Sequence, residues 1–76
     1  MRDQILEILQ DINPDVDYET EEALVDDGIL DSFDIVTLVG ELSSEFDVKI
    51  TVLHLIPENF NSLDRITSLI EKLKEA

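Results

Sequence analysis

Residues 31–46, DSFDIVTLVGELSSEF, constrain the fold of this chain more than any other stretch. Ile35, Leu38, Val39, Leu42 and Phe46 recur every three or four positions, which lays them along one stripe of an α-helix, and Val36 is expected to widen it. The spacing predicts a helix over residues 32–46. Asp31 is a good N-cap, and Asp34 stands three residues later, as in a capping box. Leu30 and Ile35 occupy the two positions of a hydrophobic staple. Gly40 weakens the middle of this helix by about 1 kcal/mol relative to alanine. It marks a place where another helix is expected to pack closely.

Two more helices can be read on either side. Ile5, Ile8, Leu9 and Ile12 predict an amphipathic helix over residues 3–12, with Asp3 as its cap and Asn13-Pro14 as its end. Leu63, Ile66, Ile70 and Leu73 predict a last helix over residues 62–74, capped by Asn61 and Asp64, with Lys72 and Lys74 complementing its C-terminal dipole. Pro57 suits the first position of a short helix at residues 57–61. Val48, Ile50 and Val52 alternate, but no second strand exists to pair with them, so residues 47–56 read as an extended connection. Residues 13–30 read as a long acidic loop, pinned to the core by Val16, Tyr18, Leu24, Val25, Ile29 and Leu30. A short helical turn can form around Glu21–Val25. Loops of this length in compact domains are often functional.

Charge narrows the function classes. The 76 residues carry nineteen acids and five bases, a net charge of −14. Nucleic acid and anionic membranes are poor partners for such a surface, whereas basic protein patches are natural ones. The plainer reading is that the charge keeps the protein soluble. No cysteine is present, so there is neither a disulfide nor thiol chemistry in the chain itself. The N-terminal MRDQILEILQ lacks a signal-peptide core and no apolar run approaches a membrane span, so a cytoplasmic protein is expected. The length suits a single domain over residues 1–76, with a thin core and little room for an enclosed active site.

Ser32 is the candidate site. With Asp31 as the cap, Ser32 falls at the first helical position, and its hydroxyl is free to face solvent. A catalytic role would need a base to activate it. The one histidine, His54, lies in the second connection, and no G-x-S-x-G elbow is present. An exposed hydroxyl at a helix start, near unbonded backbone N–H groups, instead suits a phosphodiester. The flanking Asp31 and Asp34 work against that phosphate and make more sense as contacts for a basic modifying enzyme. Asp34, Glu41 and Glu45 lie off the apolar stripe, either as a solvated face or as a docking surface for Arg and Lys.

The acidic loop carries the residue types of a metal site. Asp11, Asn13, Asp15, Asp17, Glu19 and Glu22 fall at the ligand places of a calcium loop. Val16 stands where that loop needs glycine, and Pro14 disturbs the turn, so only weak divalent binding is expected. One histidine without cysteine makes no zinc site; His54 reads as a partly exposed loop residue, and Tyr18 and Phe60 as core or loop anchors.

These blocks together resemble the acyl carrier protein family, including its peptidyl and aminoacyl carriers. The resemblance spans nearly the whole chain and rests on DDGILDSFDIV at 26–36, EFDVKI at 45–50 and IPENFNSL at 56–63. It implies an all-α bundle of three main helices and one short one, with a long first loop. It implies that a phosphopantetheinyl transferase, using magnesium, attaches 4′-phosphopantetheine from CoA to Ser32. The arm's thiol would hold acyl or aminoacyl groups as thioesters for partner enzymes of fatty-acid, polyketide or peptide-type biosynthesis. On this reading the protein is monomeric and not itself an enzyme. Asp31, Asp34, Glu41 and Glu45 would dock loading and processing enzymes with basic patches. The chain departs from the fatty-acid-synthesis pattern, which has Asp-Ser-Leu after a small pair. Here Gly28-Ile29-Leu30 precedes Asp31-Ser32 and Phe33 follows it as a departure; the Gly-hydrophobic-Leu-Asp-Ser arrangement somewhat resembles D-alanyl and other discrete aminoacyl or polyketide carriers. The rival expectation is an acidic helical adaptor or calcium-binding module with Ser32 unmodified.

Overall fold

A computed structural model describes residues 1–75 as four α-helices in the order α1 (Arg2–Ile12), α2 (Ser32–Phe46), α3 (Pro57–Phe60) and α4 (Leu63–Glu75). One 3₁₀ turn, Val52–His54, interrupts the connection between α2 and α3. Helix α1 packs against both α2 and α4, α2 also meets α4, and α3 lies on α4. The shape is a short bundle of 32 × 23 × 19 Å. Each main helix turns its apolar stripe inward: Ile5 and Leu9 from α1, Leu38, Leu42 and Phe46 from α2, and Leu63, Ile66, Leu69 and Ile70 from α4. Phe60 of α3 joins the same core.

The long loop contributes to the same core. Tyr18, Leu24 and Leu30 are buried, and Val16, Val25 and Ile29 pack partly buried against them. The helical turn expected around Glu21–Val25 is displaced to Ala23–Asp27 and does not extend into a helix. Residues 24–28 make a tight turn instead, in which Asp27 N–H reaches Ala23 O at 2.8 Å and Gly28 N–H reaches Val25 O at 3.0 Å. Gly28, at φ +73, ends this turn in the left-handed region that favours glycine.

The helix ends show where local rules were overridden. At α2 the capping box is complete: Asp31 Oδ1 accepts Asp34 N–H at 2.9 Å, and Asp34 Oδ2 accepts Asp31 N–H at 3.3 Å. The C-terminus of α2 closes on Asp47 in the left-handed conformation, and Lys74 Nζ donates to Phe46 O at 3.2 Å. Asp3 does not cap α1; the helix begins one residue earlier, at Arg2, and Asp3 lies within its first turn. Asn61 does not cap α4 either. Ser62 Oγ accepts Arg65 N–H at 3.1 Å and takes that role, because the Asn61 side chain is engaged by the loop. Two further expectations are corrected on α2. Val36 is 71% exposed and lies outside the stripe, and the space beside Gly40 is open, with no helix packed there.

Candidate functional site

The candidate site is built by the segment that leads into α2. Leu30 is buried and anchors the chain, Asp31 caps, and Ser32 then stands exposed as the first helical residue. The capping box takes up Asp34 N–H, and Ile35 N–H bonds back to Asp31 O at 3.0 Å. The N–H groups of Ser32 and Phe33 precede the first intrahelical bond and have no helical partner. Ser32 therefore presents a hydroxyl at the positive end of a helix dipole, beside two carboxylates held by the cap.

The faces of α2 are chemically distinct. Phe33, 83% exposed, and Val36 point outward, and with Ser32 they line one surface depression. Asp34 and Glu41 lie on the flank that faces α1, where they line a groove with Ile8, Asp11, Ile12 and Thr37. Glu45 is on the same flank and accepts from Gln4 Nε2 of α1 at 3.4 Å. Three of the four candidate docking acids, Asp34, Glu41 and Glu45, thus lie on the α1 side of α2, Asp31 stands at its N-cap, and the apolar ground next to Ser32 belongs to Phe33 and Val36. A helical wheel carries that signal: both residues fall opposite Leu38 and Leu42. A second exposed apolar stretch, Val52, Leu53, Leu55 and Ile56, occupies the connection after α2.

The electrostatics follow from this layout. Burial of its hydroxyl, with the charge of Asp34 as a further cause, pushes Tyr18 above the usual tyrosine value. Arg2 is gripped by Glu19 at 3.1 Å and Asp64 at 2.9 Å, and hydrogen bonding to those two carboxylates raises its pKa further. The loop acids considered as calcium ligands are turned onto their own surroundings. Asn13 Oδ1 accepts Asp15 N–H and Asp17 Oδ1 accepts Glu19 N–H, both at 3.2 Å, while Glu19 pairs with Arg2. Among the described residues, no three histidine or acidic side chains converge as a metal-binding group. His54 is half-buried in the 3₁₀ turn, with Nδ1 accepting Thr51 N–H at 3.0 Å.

No family model matches the chain. Individual relatives do. The chain is similar to the D-alanyl carrier protein of Streptococcus thermophilus (strain ATCC BAA-491 / LMD-9), 31% identical over 74 residues that cover 96% of this chain and 94% of the relative. It is 34% identical over 62 residues to that of Streptococcus pyogenes serotype M5 (strain Manfredo), covering 82% and 78%. It is 27% identical over 81 residues to that of Staphylococcus saprophyticus subsp. saprophyticus, covering 96% of each.

Proposed function

The chain belongs to the acyl carrier protein family, and from that premise we propose that Ser32 carries a 4′-phosphopantetheine arm loaded with a small aminoacyl group. The observation that carries the reading is the exposed hydroxyl of Ser32 at the capped start of α2. In the attachment step, a separate transferase directs the Ser32 oxygen onto the phosphorus of CoA that bears the pantetheine. A new P–O bond forms, the pyrophosphate bond to the adenosine half breaks, and adenosine 3′,5′-bisphosphate leaves. The serine proton passes to the transferase. The residues suit the group: the N–H groups without helical partners at the start of α2 favour a phosphodiester, and the depression lined by Ser32, Phe33 and Val36 would offer the arm an apolar surface. When attached, the arm supplies the thiol that a chain without cysteine lacks, and that thiol holds the cargo as a thioester.

Two observations support a small aminoacyl cargo. The relatives are named D-alanyl carrier proteins. The space between the helices is also filled by Ile5, Leu9, Leu38, Leu42, Ile66 and Ile70, each 0% exposed, which leaves a short polar group better placed outside than a long acyl chain inside. Basic partner enzymes would meet Asp31 at the helix start and the flank of Asp34, Glu41 and Glu45, while their apolar residues meet Phe33 and Val36.

The test is intact mass after incubation with CoA, magnesium and a broad-specificity transferase. Wild type should gain one phosphopantetheine and Ser32→Ala none. No gain on wild type, or equal gain on Ser32→Ala, overturns the attachment and favours an unmodified acidic adaptor. For the cargo, adenylating enzymes offered D-alanine, other amino acids and fatty acids should load the modified protein with an amino acid. Preferential loading with a long fatty acid would overturn that part.

A further inference from the structure

The loop that delivers the chain to Ser32 has little regular structure, so contacts from outside must set its path. Within it, residues 23–30 close on themselves, ending with Leu30 N–H to Leu24 O at 2.8 Å. Buried Leu24 and Leu30 seat this turn in the core, but apolar contacts are non-directional and leave its orientation loose. Asn61 supplies the direction. It sits between α3 and α4, only 9% exposed, and makes four hydrogen bonds to the turn. Its main-chain O accepts Leu24 N–H at 2.9 Å. Its Oδ1 accepts Val25 N–H at 3.0 Å and Asp26 N–H at 3.1 Å. Its Nδ2 donates to Asp26 Oδ2 at 3.1 Å. Three successive backbone donors and one carboxylate are satisfied by a single residue about 35 positions away. A side-chain amide meets that demand because it accepts through one atom and donates through the other.

We infer that Asn61 is a positioning residue for Ser32: it orients the turn at 24–30, and so the start of α2, in the pose that a modifying enzyme meets. This rests on the reading of Ser32 as the attachment point. The role differs from general stabilisation, because the bonds converge on the segment that ends at the site and not on the helix packing.

Steady-state kinetics of phosphopantetheine transfer from CoA tests it, on the whole chain at a temperature where circular dichroism shows each variant folded. Asn61→Ala should raise KM for the carrier roughly tenfold, the scale expected when one side-chain hydrogen-bonding residue is lost. The exchanged pair Asn61→Asp with Asp26→Asn keeps the net charge and restores a donor facing an acceptor, so it should recover most of the loss. Asn61→Asp alone should not, since it sets two carboxylates together. Ile70→Val, which loosens the core but removes none of the Asn61 hydrogen bonds, should leave KM at the wild-type value. The Ser32 amide resonance should move in Asn61→Ala and return in the exchanged pair. A folded Asn61→Ala with wild-type KM, or an exchanged pair no better than Asn61→Asp alone, overturns the inference while wild type is still modified. No transfer to wild type overturns the reading of Ser32 and the inference with it.

Discussion

Tyr18 is the only tyrosine of the chain, and its hydroxyl shares one proton between Asn13 O at 2.8 Å and Leu9 O at 2.9 Å. Leu9 O also accepts Asn13 N–H at 2.9 Å, whereas Asn13 O lies just past the end of α1, where carbonyls have no helical partner. Tyr18→Phe keeps the buried ring and removes the donor, so it should cost about 1–3 kcal/mol. The thermal midpoint should fall by roughly 4–8 °C for each kcal/mol. The pH dependence has a definite sign. Burial, followed by the charge of Asp34, raises the folded-state pKa of Tyr18 above its ordinary 10.0. The stability linked to it is therefore complete below the ordinary tyrosine pKa and is lost as the pH rises through the folded value. Phenolate absorbance reads this group alone, and its titration should lie at higher pH in the folded than in the urea-unfolded protein. Coincident titrations would contradict the shift.

At the scale of single helices, α2 and α4 yield changes of opposite sign. Gly40 is exposed within α2 and has open space where a methyl group would stand. Gly40→Ala should stabilise by up to about 1 kcal/mol through helix propensity alone. Ser62→Ala removes the cap of α4 and should cost about 1 kcal/mol. Urea titrations check both, with unchanged m-values expected. The outward face of α2 is where stability and the proposed docking can be told apart. Phe33→Ala, at a residue 83% exposed, should change stability by no more than about 0.5 kcal/mol. It should nevertheless raise the KM of partner enzymes, and unaltered partner kinetics would remove Phe33 from the docking surface. The periodicity that defines α2 was legible from Ile35, Leu38 and Leu42 because the helical repeat is local. The exposure of Val36 was not legible, because the width of a stripe depends on how many neighbours the helix has, and α2 meets only α1 and α4 closely.

Over the whole molecule, nineteen acids surround a small core, and three of the five bases already serve internal contacts. Arg2 ties α1 to Glu19 and Asp64, Arg65 donates to Glu58 O, and Lys74 donates to Phe46 O. The remaining surface repels itself, and salt screens that repulsion. The thermal midpoint should therefore rise with sodium chloride from low to physiological concentration. Over the same range the KM for a basic transferase should also rise, because salt screens the attraction between partners. A thermal midpoint that is flat or falls with salt would show that the charges are better compensated than the contacts indicate.

The amino-acid sequence by itself determined the three long helices, the complete capping box of Asp31 and Asp34, and the exposed place of Ser32 at the first position of α2. Each depends on residues no more than a few positions apart, and short-range geometry decides it. Tertiary structure alone decided between Asn61 and Ser62 as the cap of α4. Both residue types cap well, and the choice fell to Ser62 because Asn61 is held by the N–H groups of Val25 and Asp26 and by the Asp26 carboxylate. It also decided that Gly40 faces open space and that Asp34, Glu41 and Glu45 lie on the α1 side of α2. Gly40 and the three acids depend on which helix packs alongside α2, and the cap of α4 depends on hydrogen-bond accounting. A buried donor takes the acceptor that the folded chain brings within reach, and no local spacing records which one that is.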